Sequence, residues 1–232
     1  MKPTEHEIDL ATSIITNLFQ HNFKFALTYH RAPDEKYGFY GFETWLRAHQ
    51  EEFDCDWYSG ETKVCIAPYI LENWVIKVDF DRNSCPEDYY EYYQLISFCE
   101  QELITYEKAV SNNLQSFFAP IYKIGTINDA TFYLQEKVFP DADVVMNSFE
   151  NYSKYFVEEE EYDDNVEYLD AVSEYASELD DEDRLRAMFD DYEGVEELIE
   201  FINENEINDL HEGNYGRKSD GNWVIFDYSG YC

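Results

Sequence analysis

Residues 207–232 read INDLHEGNYGRKSDGNWVIFDYSGYC. Asp209 and Asn214 stand five apart in a stretch whose glycines and Ser-Asp-Gly turn mark it as loop. Asp227 closes the short apolar run NWVIFDY, which predicts a strand. Magnesium takes oxygen ligands in near-octahedral geometry, one or two from the protein and the rest from phosphate and water. Asn214 and Asp227, on the two sides of a loop–strand hairpin, suit that demand. Asp209 is then left to orient an attacking hydroxyl and accept its proton. Gly213 and Gly216 permit close backbone approach. A turn rich in Asp and Asn spells the same pattern without any chemistry, so the stretch gains meaning only from what precedes it.

Working upstream, GVEELIEFINEN (194–205) predicts a helix. Residues 141–200 hold 23 acidic and three basic residues. Apolar positions recur inside that acidity at Val166, Leu169, Val172, Tyr175, Ala176 and Leu179, which predicts an amphipathic helix with an acidic face rather than a disordered tract. FFAPIYKIG and ATFYLQEKVF predict two strands. A long helix is expected over about 86–111, with Pro86 in its first turn and a stripe of Tyr92, Ile96, Cys99, Leu103 and Tyr106. WYSGETKVCIAPY and NWVIKVDF, rich in β-branched and aromatic residues, predict two or three antiparallel strands from residue 57. Nearer the start, Phe42, Trp45 and Leu46 mark a short helix over 41–51. Thr4 with Glu7 forms a capping box for a helix over 4–20, whose apolar positions are Ile8, Ala11, Ile15, Leu18 and Phe19.

Composition narrows the possibilities. The 232 residues are 44% apolar and carry 21 Tyr and 17 Phe, enough to build a core. The formal net charge is −35 and the pI about 4.1, which disfavours direct binding of nucleic acid or of anionic membranes and favours basic protein surfaces. Five cysteines (55, 65, 85, 99 and 232) are widely spaced without a CxxC, and the histidines are scattered, so no zinc pattern is read. The opening MKPTEHEIDLATS lacks a signal-peptide core, and no apolar run is long enough to span a bilayer. A reduced, cytoplasmic protein without membrane contact is expected.

The segment Asp209-Leu-His-Glu-Gly-Asn214, followed by a strand into Asp227-Tyr-Ser-Gly230, resembles the catalytic loop and metal-binding segment of protein-kinase-like phosphotransferases. Its spelling is similar to that of the aminoglycoside-phosphotransferase branch and of small kinase-like proteins of tailed bacteriophages. NWVIKV (73–78) resembles the strand that carries the phosphate-binding lysine, here Lys77. The helix after it is where the family places a glutamate that pairs with that lysine; Glu102 is the choice and Glu100 the alternative. FYLQEKV (132–138) resembles the strand and hinge that touch adenine, with Gln135 as gatekeeper, Glu136 offering its carbonyl, and Val138 its amide and carbonyl.

The resemblance implies an α+β, bilobal, kinase-like fold. Residues 1–54 would be an N-terminal helical extension, 55–138 an antiparallel-sheet N-lobe with the hinge, and 139–232 a truncated helical C-lobe containing the acidic segment 141–200. It implies ATP and magnesium as cofactors. Backbone near Ser59 and Gly60, with Thr62, would cover the phosphates; Asn214 and Asp227 would hold the metal; Asp209 would be the base. The sequence departs from the family in three places. SGETKV has one glycine where protein kinases have three. Ile207 replaces the histidine two residues before the catalytic Asp. The chain ends at Cys232 without the segment on which protein kinases dock peptides. His211 receives no catalytic role, and Tyr228 is expected in the core.

Two functions of different class follow. One is a magnesium-ATP-dependent phosphotransferase, a phage-type protein kinase modifying host proteins in the bacterial cytoplasm. The other is an acidic inhibitor that mimics nucleic acid on a kinase-like scaffold, active or not, and fills the groove of a host nuclease or polymerase in the manner of anti-restriction or anti-CRISPR proteins. Duplex DNA shows one charge per about 1.7 Å, so a net charge of −35 matches roughly 60 Å of duplex.

Overall fold

Alternation of side chains across one sheet organises the first half of the chain. The computed structural model describes residues 2–28, 40–59, 63–81, 97–128, 130–159, 162, 165–208 and 210–228. These fall into two compact units, Met1–Glu107 with Pro120–Lys137, and Lys108–Ala119 with Val138–Cys232.

In the first unit, β1 (Cys55–Ser59), β2 (Lys63–Pro68), β3 (Trp74–Asp79), β4 (Ile121–Ile127) and β5 (Ala130–Glu136) form an antiparallel sheet in the order β1-β2-β3-β5-β4. Register pairs Ile66 with Ile76, Val64 with Val78, Ile76 with Leu134 and Val78 with Phe132. Because successive residues of a strand point to opposite faces, these residues share one face. That face is the apolar core, and it is covered by α1 (Glu5–Gln20), α2 (Phe23–Leu27) and α3 (Tyr40–His49). Each fully buried Leu, Ile or Phe there contributes about 1.5–3 kcal/mol of transfer free energy.

The capping box at Thr4 is present. Its hydroxyl accepts the Glu7 amide at 3.2 Å, and Glu7 Oε2 accepts the Thr4 amide at 2.7 Å. Glu7 also accepts a bond from the Trp74 indole at 3.1 Å, tying the start of α1 to β3. Trp45 donates from its indole to the His21 carbonyl at 2.7 Å. The helices of residues 1–54 therefore belong to the same core as the strands, and the junction at 54/55 is not a boundary between units.

The expected helix over 86–111 differs from α4 (Phe98–Ser111) at its start. Residues 82–96 lie outside the described residues. Ser97 is not helical; its hydroxyl accepts the Glu100 amide at 3.1 Å, an N-cap arrangement that starts the helix at Phe98.

The second unit holds α5 (Ala142–Ser153), α6 (Asn165–Glu178), α7 (Asp181–Phe189) and α8 (Val195–Glu204). A small antiparallel sheet runs β6 (Phe139–Pro140), β7 (Tyr215–Arg217), β8 (Trp223–Ile225). Part of the acidity of 141–200 is capping chemistry. Asp141 accepts the Val144 amide at 3.2 Å and Asp180 the Asp183 amide at 2.9 Å, each satisfying a helix N-terminus and meeting its positive end. The stripe expected on α6 is only half buried. Val172, Ala176 and Leu179 are in the core, while Val166, Leu169 and Tyr175 stay exposed. Among the described residues no helix is long and apolar enough to cross a membrane.

Candidate functional site

The face of the five-stranded sheet opposite the apolar core is polar and buried. Lys63, Cys65, Lys77, Asp79, Tyr133 and Gln135 share it by register, since Lys63 pairs with Asp79, Cys65 with Lys77, and Lys77 with Tyr133. Buried polar groups demand partners, because an unpaired one costs about 1–3 kcal/mol and an unpaired charge more. α4 supplies them. Glu102, with 0% of its side chain exposed, accepts from Lys63 Nζ at 2.6 Å on one oxygen and from the Tyr133 hydroxyl on the other. Asp79 accepts from the Ser97 hydroxyl on one oxygen and from the Cys99 amide at 2.9 Å on the other. Burial raises the Asp79 pKa, and these two hydrogen bonds oppose the shift. Burial and the adjacent Asp79 push the Cys99 thiol well above its ordinary value, so it is a packed group and not a nucleophile.

Several expected residues meet on this face. Lys77 sits buried in the middle of β3, beside Tyr133 of β5. Glu102 turns beneath the sheet, whereas Glu100 is 46% exposed and lies 3.8 Å from Lys123. Of the two glutamates, Glu102 is thus the one on the lysine-bearing face. Lys63 Nζ of β2 lies 2.6 Å from it, a pairing not expected from the sequence, and Lys77 shares that face. Gln135 is buried opposite Val75 and Ile121. Glu136 is buried opposite Trp74, and its amide donates to the Pro120 carbonyl at 2.8 Å. Gly60 and Thr62, expected over phosphates, lie outside the described residues, as does the Ser59 side chain.

The second unit carries the other expected residues. Asp209 lies outside the described residues. Immediately after it, the Leu210 amide donates to Asp181 Oδ1 at 3.1 Å, and Arg184 approaches the same oxygen at 3.4 Å. His211 Nδ1 accepts the Gly213 amide at 3.0 Å, a local cap. A Cβ on Gly213 would stand 2.7 Å from the His211 ring, and one on Gly216 would stand 3.0 Å from Val138. Both glycines are therefore set by close approach. Val138, expected to contact adenine, is half-buried and packs at Gly216 beside β6.

Tyr215 pairs with Ile225 across the β7–β8 hairpin, and the Phe226 amide donates to the Asn214 carbonyl at 3.0 Å. Asn214 and Asp227 consequently sit at neighbouring positions on the two arms of one hairpin. Tyr228 is buried, and its hydroxyl donates to the Ala119 carbonyl at 3.0 Å. Two carboxyl or amide side chains fit the one-or-two protein ligands that magnesium takes alongside phosphate oxygens. Among the described residues no group of three His, Cys, Asp or Glu is arranged to hold a metal by itself.

Sequence reasoning missed Lys63, Tyr133 and Asp181. In the sequence Lys63 directly follows the turn-type residues Ser59 and Gly60 with Glu61 and Thr62, and it reads as a solvated strand end. Its signal was alternation, since Lys63 shares its face with Cys65 and Ala67 while Val64 and Ile66 fill the other. Asp181 looked like one more carboxylate in an acidic run. The structure brings Lys77 and Glu102 to one face of the first unit, and Asn214 and Asp227 to one hairpin of the second. No protein-family model matches this sequence, and no curated protein matches it.

Proposed function

We propose that the chain is a magnesium-ATP-dependent phosphotransferase of protein-kinase-like type, acting on a protein substrate. The observation that carries this reading is the hairpin of the second unit. The stretch spelled DLHEGN leads directly into a strand pair whose Phe226–Asn214 bond, at 3.0 Å, sets Asn214 beside Asp227. A pair of oxygen ligands on one hairpin suits magnesium bound to a triphosphate. In this reading Lys77 meets phosphate charge, and Glu102 sets the position of the lysines. Asn214 and Asp227 hold magnesium, and Asp209 orients the acceptor hydroxyl and takes its proton. Magnesium, when bound, neutralises charge on the phosphates. The remaining work is positioning and charge stabilisation by the chain's own groups. Glu136 and Val138 are assigned to adenine.

A nucleoside triphosphate is a polyanion meeting a protein of formal charge −35. Screening over about 8 Å at physiological salt limits that repulsion. Nucleotide binding is accordingly expected to need magnesium. Calorimetry with ATP, with and without magnesium, on the wild type, Asn214→Ala and Asp227→Ala tests the metal assignment. Binding is expected only with magnesium and only in the wild type; equal binding by Asp227→Ala removes the reading. Labelled ATP with a bacterial lysate tests the base, and undiminished labelling by Asp209→Ala excludes Asp209 from that role.

A further inference from the structure

Exposed aromatic surface in the second unit gathers where α5 ends and α6 passes. Phe156 is 51% exposed and stacks nearly parallel on Tyr175, with 5.8 Å between ring centroids and 12° between planes. Tyr175 is itself 38% exposed, and neighbouring Tyr155 is 85% exposed. Tyr152 leans on Phe156 at 5.2 Å, and its hydroxyl is spent on Asp183 at 3.0 Å. Such ring area in water is unfavourable for folding, and contiguous exposed apolar surface marks interaction sites. Carboxylates border it. Glu174 and Glu178 lie one turn apart on the α6 strip next to Tyr175, and Glu158 and Glu159 follow Phe156 in the chain; all four are exposed. The adjacent cation, Lys154, bonds Asn151 at 2.9 Å.

We propose that this face docks an arginine-rich segment of a partner protein. Arginine is the residue that both features fit. Its planar, weakly hydrated guanidinium stacks on aromatic faces while its fork of donors meets carboxylates in pairs. Lysine satisfies the carboxylates but gains less from the rings. Charge excludes the other occupants: nucleic acid and anionic lipid are repelled, and a second copy would bring its own carboxylates against these. The proposal stands apart from the phosphotransferase reading, because it uses none of the nucleotide-handling residues.

The test uses the full chain and two synthetic peptides, octa-arginine and octa-lysine, titrated by calorimetry at physiological salt. Octa-arginine is expected to bind about two- to five-fold more tightly, the factor of one exposed cation–π contact. Phe156→Leu and Tyr175→Leu keep apolar volume but remove the ring faces, and they should bring octa-arginine to the octa-lysine affinity. Glu174→Gln with Glu178→Gln should weaken both peptides and flatten their salt dependence. Equal binding of the two peptides by the wild type overturns the proposal without reference to any variant. An arginine preference that survives both leucine substitutions overturns it as well. So does a wild-type dimer in sedimentation that Phe156→Leu dissolves, which would assign the face to a second copy.

Discussion

Glu102→Ala is the most demanding perturbation of the first unit, and its size follows from two contacts. The substitution leaves the Lys63 ammonium, 6% exposed, without the carboxylate 2.6 Å away. Removing one member of a buried ion pair costs about 3–5 kcal/mol; Asp79, opposite Lys63 in register, remains beside the ammonium. The buried Tyr133 hydroxyl loses its acceptor at the same time, worth about 1 kcal/mol more. Against a typical stability of about 5–15 kcal/mol, a loss of roughly 4–6 kcal/mol is severe. For a chain of this length it corresponds to a fall in melting temperature on the order of 10–20 °C. Tryptophan emission reads it locally, because Trp45, Trp57 and Trp74 lie in the first unit and Trp223 alone in the second. Urea unfolding of Glu102→Ala in a Trp223→Phe background therefore reports the first unit. The companion double variant, Lys63→Met with Glu102→Leu, replaces the pair by apolar side chains. It should recover the wild-type midpoint or exceed it, since exchanging a buried pair for packed apolar groups is often neutral or stabilising by about 1–4 kcal/mol. A cost below about 1 kcal/mol for Glu102→Ala would refute the reasoning, because it would place the pair in the range of exposed bridges.

Three further expectations are smaller. Tyr215 is fully buried, and its hydroxyl has no hydrogen-bond partner among the described residues, so Tyr215→Phe should stabilise the second unit by about 1 kcal/mol in denaturant unfolding; a loss of stability would reveal a bond the phenol makes. Burial raises the Asp79 pKa in the folded state, so the folded chain binds that proton more tightly than the unfolded one does, and stability is lost as pH rises above the ordinary carboxylate value of 3.8. Asp79→Asn removes this penalty, and the variant should gain on the wild type as pH is raised from the acid side toward neutrality; a difference flat with pH would contradict the burial argument. Asp181 fixes the chain just after Asp209 through the Leu210 amide, so Asp181→Ala should speed exchange of that amide by about ten- to a hundred-fold, the loss of one hydrogen bond to a charged acceptor, while amides of α8 keep their protection.

The elements most legible in the sequence were those in which local chemistry and tertiary packing ask for the same residue. Thr4 and Glu7 cap α1 whatever packs on it, and Ala11, Ile15 and Leu18 then meet the core at helical spacing. The strands around Ile66 and Ile76 read as strands because β-branched residues fill the pleat on one face. Where the two levels part, the sequence misleads. Ser97 looks like an interior helix residue, yet its hydroxyl serves the Glu100 amide and Asp79 together, so the helix starts there. Val166, Leu169 and Tyr175 carry the same periodicity as Val172 and Ala176, but periodicity records a stripe and not how much of it a neighbouring helix covers. Lys63 is the sharpest case. Nothing local distinguishes a lysine after a turn that points to water from one that points under a helix; the difference is Glu102, 39 residues away in the chain. Long-range electrostatic pairing is invisible to local pattern. The hairpin that brings Asn214 near Asp227, by contrast, needs only thirteen residues and a turn to close, which is why it was readable from its spelling while the Lys63–Glu102 pair was not.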